Sequence, residues 1–212
     1  MLKRILLVLM LAAAAGPAQT VNCIVAIVDG EIITLLDVQI AVEFGLGREA
    51  PGGAAPDPRS AALDALIDRK VVLNLAREAR EVRGVDREEL DAALGDIRRR
   101  TGEAAFAEKL RKFGLTEKDI EPYLLERMRY ARALELRFSP TIPVSVTEVE
   151  RYYRDTYVPE QARNGLKAEP IENVSGRIES RLRAERRTKQ MADWVRDLRG
   201  RANVQIRKDC LK

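Results

Sequence analysis

The sequence contains no histidine in 212 residues. That absence excludes His-based catalytic triads, His metal sites and imidazole acid–base chemistry together. Cysteine is scarce, with only Cys23 and Cys210, far apart in the chain. No Gly-rich phosphate loop follows a strand, and no cluster has metal-ligand spacing, so neither a cofactor nor a metal is expected. Charge of one sign does not accumulate. The 37 Lys and Arg residues face 33 Asp and Glu residues, a net charge of +4, and the signs are finely mixed. This is the pattern of solvated helix faces, not of a nucleic-acid-binding block. The densest basic run, Arg177, Arg181, Arg183, Arg186, Arg187 and Lys189, is interleaved with Glu179 and Glu185 and carries no aromatic residue. It reads as a solvated helix face and not as a surface for nucleic acid or anionic lipid.

Long apolar runs are also missing, except at the start. Lys3 and Arg4 precede an apolar stretch from Ile5 to Ala15, and the small residues Gly16 and Ala18 follow. This is the pattern of a secretory signal peptide over residues 1–18, with cleavage expected after Ala18. The apolar stretch is shorter than the ~20 residues that span a bilayer, so no stable membrane insertion is expected after cleavage. Asn22 stands where a lipoprotein signal needs a small residue, which argues against lipidation of Cys23. The mature chain, 19–212, is expected in a periplasm and is long enough for one sizeable core.

"CIVAIV", Asp29-Gly30 and "EIIT" form an apolar run, a turn pair and a second apolar run. An Asp-Gly pair in that setting predicts a type I′ hairpin. Thr34 with Asp37 then predicts a capped helix from about Leu35 to Phe44. Residues 45–58, rich in Gly, Pro and Ala, predict a loop. A second helix is expected from about Ser60 to Val82. Asp86 with Glu89 opens a third, and "EAAFAEKLRKF" forms a fourth between Gly102 and Gly114. Thr116 with Asp119 opens a fifth, whose apolar stripe Ile120, Leu124, Met128, Ala131, Leu134 and Phe138 runs to Pro140. Ser145 with Glu148 caps a sixth, followed by a polar connector around Pro159 to Pro170. The last helix is expected from Ile171 to Leu198, with Val174, Ile178, Leu182, Met191, Trp194, Val195 and Leu198 as its buried stripe. Residues 203–210 alternate apolar and polar residues like a terminal strand. The fold class is therefore mainly α, with a small antiparallel sheet built from the two ends of the chain.

If the first and last strands pair with Cys23 opposite Cys210, then Val25 faces Lys208, Ile27 faces Ile206 and Asp29 faces Val204. That register unites the two cysteines and two isoleucines, and an oxidising compartment would make the cysteines a disulfide. The alternative leaves two free thiols.

Four segments carry a family resemblance. "VAIVDGEIITLLDVQI" resembles the opening of the SurA-like periplasmic chaperones (the SurA N-terminal domain family). "ALDALIDRKVVLNLAREA", residues 62–79, resembles that family's second helix. "IPVSVTEVERYYRDTY", residues 142–157, is similar to the stretch before the family's parvulin isomerase domain. "GRIESRLRAERRTKQMADWVRDLRGRANVQI", residues 176–206, resembles the long helix and strand after it. In larger members an isomerase of about 100 residues, an ordinary domain size, separates the last two stretches. Here only residues 158–175 occupy that gap, and the histidines of the family's isomerase site are absent. The resemblance implies one chaperone domain over 19–212: an N-terminal part 19–157, a connector 158–170 in place of the isomerase, and a C-terminal helix and strand 171–212.

The resemblance further implies an ATP-independent chaperone for unfolded outer-membrane or secreted polypeptides, with no catalytic residues. The rival readings are a prolyl isomerase and a dedicated subunit holding one specific partner. Such a chaperone needs accessible apolar surface. Phe44, Leu46, Phe106, Leu110, Phe113, Tyr123, Met128 and Tyr130 are the candidate client contacts. Met128 also fits the buried stripe of the fifth helix, and aromatic residues at helical spacing are more often core. Tyr152, Tyr153 and Tyr157 are expected to pack the sixth helix, and Trp194 to hold the last helix against the second. The carboxylates at helix starts are read as caps, not as acid–base groups. Oligomeric state is not legible.

Overall fold

The computed structural model describes residues 23–47, 57–78, 84–139 and 142–211. The expected signal peptide and most of the Gly/Pro-rich loop lie outside the described residues. The fold is mainly helical with one small antiparallel sheet. It begins with β1 (Ile24–Val28), β2 (Glu31–Thr34) and α1 (Leu35–Glu43). Asp29 and Gly30 both take positive φ, at 48° and 87°. That is the type I′ geometry expected for the Asp-Gly pair, and it matches the twist of the flanking strands. Thr34 caps α1, with reciprocal bonds between it and Asp37.

Helices α2 (Pro58–Glu78), α3 (Arg87–Thr101), α4 (Glu103–Phe113) and α5 (Glu117–Arg137) complete the larger part of the fold. Proline opens α2, where its missing N–H costs nothing. Asp57 caps this helix, accepting from the Arg59 and Ser60 backbone N–H groups at 3.1 Å each. The capping boxes read at Asp86–Glu89, Thr116–Asp119 and Ser145–Glu148 are all present. The core forms where α2 runs beneath the sheet, with Leu63, Leu66, Ile67 and Val71 packed among residues of β1, β2 and α1 and of α3, α4 and α5.

The remaining elements are α6 (Val146–Tyr152), a π-helical turn at Tyr153–Tyr157, α7 (Val158–Arg163), α8 (Ile171–Arg201), β3 (Val204–Ile206) and a terminal 3-10 turn, Lys208–Leu211. The helix therefore continues past the expected connector start, through Pro159, to Arg163. A proline ring in an α-helix collides with the carbonyl four residues back. The π turn just before it widens the backbone at that point, with the Val158 N–H reaching back to the Tyr153 carbonyl. A satellite cluster of Val149, Val174 and Ile178 gathers Tyr152, Tyr153 and Tyr157 around it. Glu169 joins these pieces. Its backbone carbonyl accepts from Tyr153 Oη at 2.8 Å, and its carboxylate accepts from Tyr157 Oη at 3.2 Å and Arg177 at 2.6 Å.

The strand order is β2-β1-β3, so the N-terminal strand is central and the C-terminal strand completes the sheet. The register differs by one residue from the expectation. Ala26 faces Ile206, Ile27 faces Gln205 and Val28 faces Val204. The burial pattern explains the shift. Ala26 and Val28 are fully buried, whereas Ile32, opposite Ile27, is 52% exposed. The observed register puts Val204 and Ile206 on the same face as Val28 and Ala26, where Val204 is half-buried and Ile206, on the edge strand, stays 39% exposed. The expectation also treated Cys210 as a strand residue. β3 instead stops at Ile206, and the 3-10 turn carries Cys210 across to Cys23. The two form a disulfide with Cα atoms 5.9 Å apart, closing a sequence separation of 187 residues.

In the chain-entropy model a loop of that size stabilises the folded state by up to about 5 kcal/mol, through the unfolded chain. Replacing Cys23 with Ser should therefore lower the thermal midpoint under oxidising conditions. It should leave it equal to that of the parent chain in reductant. Parallel melts by circular dichroism, with and without dithiothreitol, check this.

Candidate functional site

The apolar stripes of α5 and α8 leave the core partway along each helix. On α5, Ile120 and Leu124 are buried, Met128 and Leu134 are half-buried, and Ala131 is exposed. On α8, Val174 and Ile178 are buried at one end and Val195 near the other, with no buried residue between Ile178 and Val195. At 1.5 Å per residue the 31-residue α8 is about 46 Å long. It bridges the larger core and the satellite cluster, and its middle is left uncovered.

A groove of about 1010 Å³ lies along that uncovered stretch. Leu134 of α5 and Phe138 at its C-terminal cap form one apolar wall, Met191 and Ala192 of α8 the other, and Tyr130 and Val195 lie at its base. Phe138 meets Trp194 edge-on, with ring centroids 5.6 Å apart. The Arg137 guanidinium lies over the same indole at 5.5 Å, so Phe138 is backed, outside the groove, by aromatic and cationic groups that stiffen one another. Arg199 is anchored to α2 through Asp64 at 2.7 Å and Asp68 at 3.3 Å. These side chains offer apolar contact with a polar rim. They place no nucleophile beside a base, and among the described residues no group of three or more His, Cys, Asp or Glu is positioned for a metal.

A second groove, of about 450 Å³, lies beside β2, between Ile32, Leu36, Leu66, Leu115, Pro122 and Tyr123. Burial pushes the Tyr123 phenol up, and donation to Asp37 Oδ1 at 2.7 Å pushes it further, so it remains a neutral donor. Lys70 forms the polar edge, 3.2 Å from Glu31 and 2.5 Å from Glu126. Burial opposes the charge on Lys70, but its two carboxylate partners outweigh that and hold its ammonium above the ordinary value. A third depression, around Arg87, Asp91, Arg98 and Glu117, is filled with ion pairs.

The packing places the client residues expected from sequence mainly in the core. Phe44, Leu46, Phe106, Leu110 and Tyr130 are buried. Phe44 and Phe106 meet each other edge-on at 5.7 Å inside the core. Phe113, Tyr123 and Met128 are half-buried against the same core. Of the eight, Tyr130 reaches the large groove, as part of its buried base, and Tyr123 lines the smaller one. Leu134, Phe138 and Met191, read from sequence as buried stripe, are the groove walls. The available signal was the length of those stripes, which run past the point where another element could cover them. Trp194 is half-buried and packs on the end of α5 as well as beside Val72 of α2.

Glu31 tests the electrostatics of the sheet edge. Burial opposes its charge, but Arg77 and Lys70 prevail and hold its carboxyl below the ordinary 4.5. A lowered folded pKa gives stability that is fully present above about pH 4.5 and is lost as pH falls through the folded value. Glu31→Gln should therefore lower the urea midpoint near pH 7. The gap between variant and parent should close near pH 3, read by tryptophan fluorescence.

Comparison with known proteins places this geometry. No family model matches the chain. Chaperone SurA of Pseudomonas fluorescens is 28% identical over 144 residues, which covers 66% of this chain and 34% of that protein. The chain thus spans about a third of the length of the curated relative it matches. Among solved structures, one reported with the virulence factor PEB4 and the periplasmic protein Cj1289, two structurally related SurA-like chaperones of Campylobacter jejuni, superposes with a TM-score of 0.52. It is 15% identical, and the match covers 88% of this chain and all of that one. Among the described residues no helix is long and apolar enough to cross a membrane. The chain is thus similar to SurA in sequence over the matched segment, and it shares the fold of a SurA-like chaperone structure over most of its length.

Proposed function

We propose that the chain is a periplasmic, ATP-independent chaperone that holds unfolded outer-membrane or secreted polypeptides in the groove between α5 and α8. The observation that carries this reading is the groove itself, long and open, walled by Leu134, Phe138, Met191 and Ala192. Open apolar surface of this kind suits many sequences, and an unbranched methionine adapts to whatever side chain meets it. The charged rim keeps such a surface soluble. The likeness to SurA supports the same reading.

The proposal includes no isomerase activity. The chain has no histidine, and only residues 158–175 stand where larger relatives of the resembled family carry the isomerase. Of these, residues 158–163 are helix. Catalysis would also require a site that accelerates a step taking tens of seconds unaided.

The test is aggregation suppression with an isomerisation assay on the same sample. A denatured outer-membrane protein is diluted into buffer containing the chain, and light scattering is followed. Suppression without faster isomerisation of a proline peptide is expected. Met191→Asp, which places a charge in the groove wall, should abolish suppression while leaving the melting midpoint close to that of the parent. Faster isomerisation would establish the enzyme reading. A tight one-to-one complex with one native protein, without suppression, would establish the dedicated-partner reading.

A further inference from the structure

Three of the five charged side chains that line the large groove, Asp68, Arg196 and Arg199, are held in ion pairs. Arg199 is held by Asp64 and Asp68, and Arg196 by Asp193 at 2.9 Å. Two groups differ. Arg187 on the α8 wall and Glu135 on the α5 wall both line the groove and are both exposed. Neither has an ion-pair partner among the described residues, and they do not pair with each other. Some exposed cations of α8 take carboxylate partners four residues away, as Arg181 does with Glu185 and Lys189 with Asp193. Arg187 has none. A cation and an anion thus face one apolar cavity from opposite walls with the cavity between them.

We infer that the groove selects extended polypeptide segments whose apolar stretch is flanked by an acidic residue at one end and a basic residue at the other. The inference rests on the groove being the client site. The acidic end would lie toward Arg187 and the basic end toward Glu135, while the apolar residues contact Leu134, Phe138 and Met191. Complementary charge at an exposed rim adds little affinity but sets orientation and disfavours wrong pairings. Segments with like charges at both ends would meet repulsion on one wall. The groove would therefore be permissive toward apolar sequence and selective in charge pattern.

The experiment uses the full chain and two fluorescent peptides with the same apolar centre. One is flanked by Glu and Arg, the other by Gln at both ends. Binding is read by anisotropy at low salt. Arg187→Glu and Glu135→Arg should each weaken binding of the charged peptide by up to about fivefold, the upper end of the range for exposed pairs. The double variant should restore it, because the peptide can then lie in the opposite direction. The Gln-flanked peptide should bind all four proteins alike, and the contrast should fade as salt is raised. Both side chains are exposed, so the thermal midpoint should stay in place in every variant. Equal binding of the charged peptide by parent and single variants would overturn the inference. So would a double variant as weak as the single ones.

Met191→Asp separates the two layers of the argument. If it abolishes binding of both peptides while the charge variants do nothing, the groove reading stands and the charge selection falls. If it leaves both peptides bound, the groove is not the client site and both fall. Self-association of the chain that Met191→Asp abolishes would assign the groove to a second copy and overturn the inference.

Discussion

The pairing of the first strand with the last is the constraint on which the rest of the fold depends. β1 lies between β2 and β3, so half of its backbone hydrogen-bonding groups can be satisfied only by residues some 180 positions later in sequence. The turn itself takes part. The Asp29 N–H donates to the Asn203 carbonyl at 3.0 Å, and the Asn203 N–H donates to Asp29 Oδ1 at 2.8 Å. The Arg207 N–H reaches the Val25 carbonyl at 2.8 Å. Closing so long a loop is entropically costly, and the energy that offsets it comes from burying Val25, Ala26, Val28 and Ile33 against α2. The disulfide adds a covalent tie at the same seam.

That seam positions α8, because β3 follows it directly. With its C-terminal end fixed by the sheet and by Arg199 on α2, the helix must leave the core along a set direction. Its other end is held by the satellite cluster around Val174 and Ile178, and at mid-helix Arg186 donates to the Pro143 carbonyl at 2.6 Å and pairs with Glu148. A helix packed by apolar contacts at its two ends, with only this polar tie between them, leaves an apolar trough beside α5. The groove is therefore a consequence of connectivity. Its shape comes from where α8 is tied, and its chemistry from residues that the two stripes carry beyond the core.

The same arrangement explains why most of the aromatic residues lie away from the groove. Phe44 and Phe106 are the bulkiest apolar groups in their segments, and packing edge-on inside the core is their best use in a chain with few aromatics. The open surface falls instead to Leu134, Met191 and Ala192, beside one aromatic pair at its end. A half-buried Met or Leu is the less costly residue to leave partly in water, and the more adaptable one to press against a changing partner.

Local features were determined by the sequence alone. The Asp-Gly turn, the four capping boxes, the Gly114 helix stop and the mainly helical class follow from short-range stereochemistry, and each is found where the residues place it. The partnership of the two chain ends was legible as well, because the cysteines and the alternating last strand advertised it. Only the tertiary structure decided the register of that partnership, since which face of β1 is buried depends on α2 lying beneath it. The course of the helix through Pro159 and the identity of the groove walls were decided in the same way. A stripe of apolar residues says that a face seeks cover, and whether another element arrives to cover it is a property of the whole packed chain.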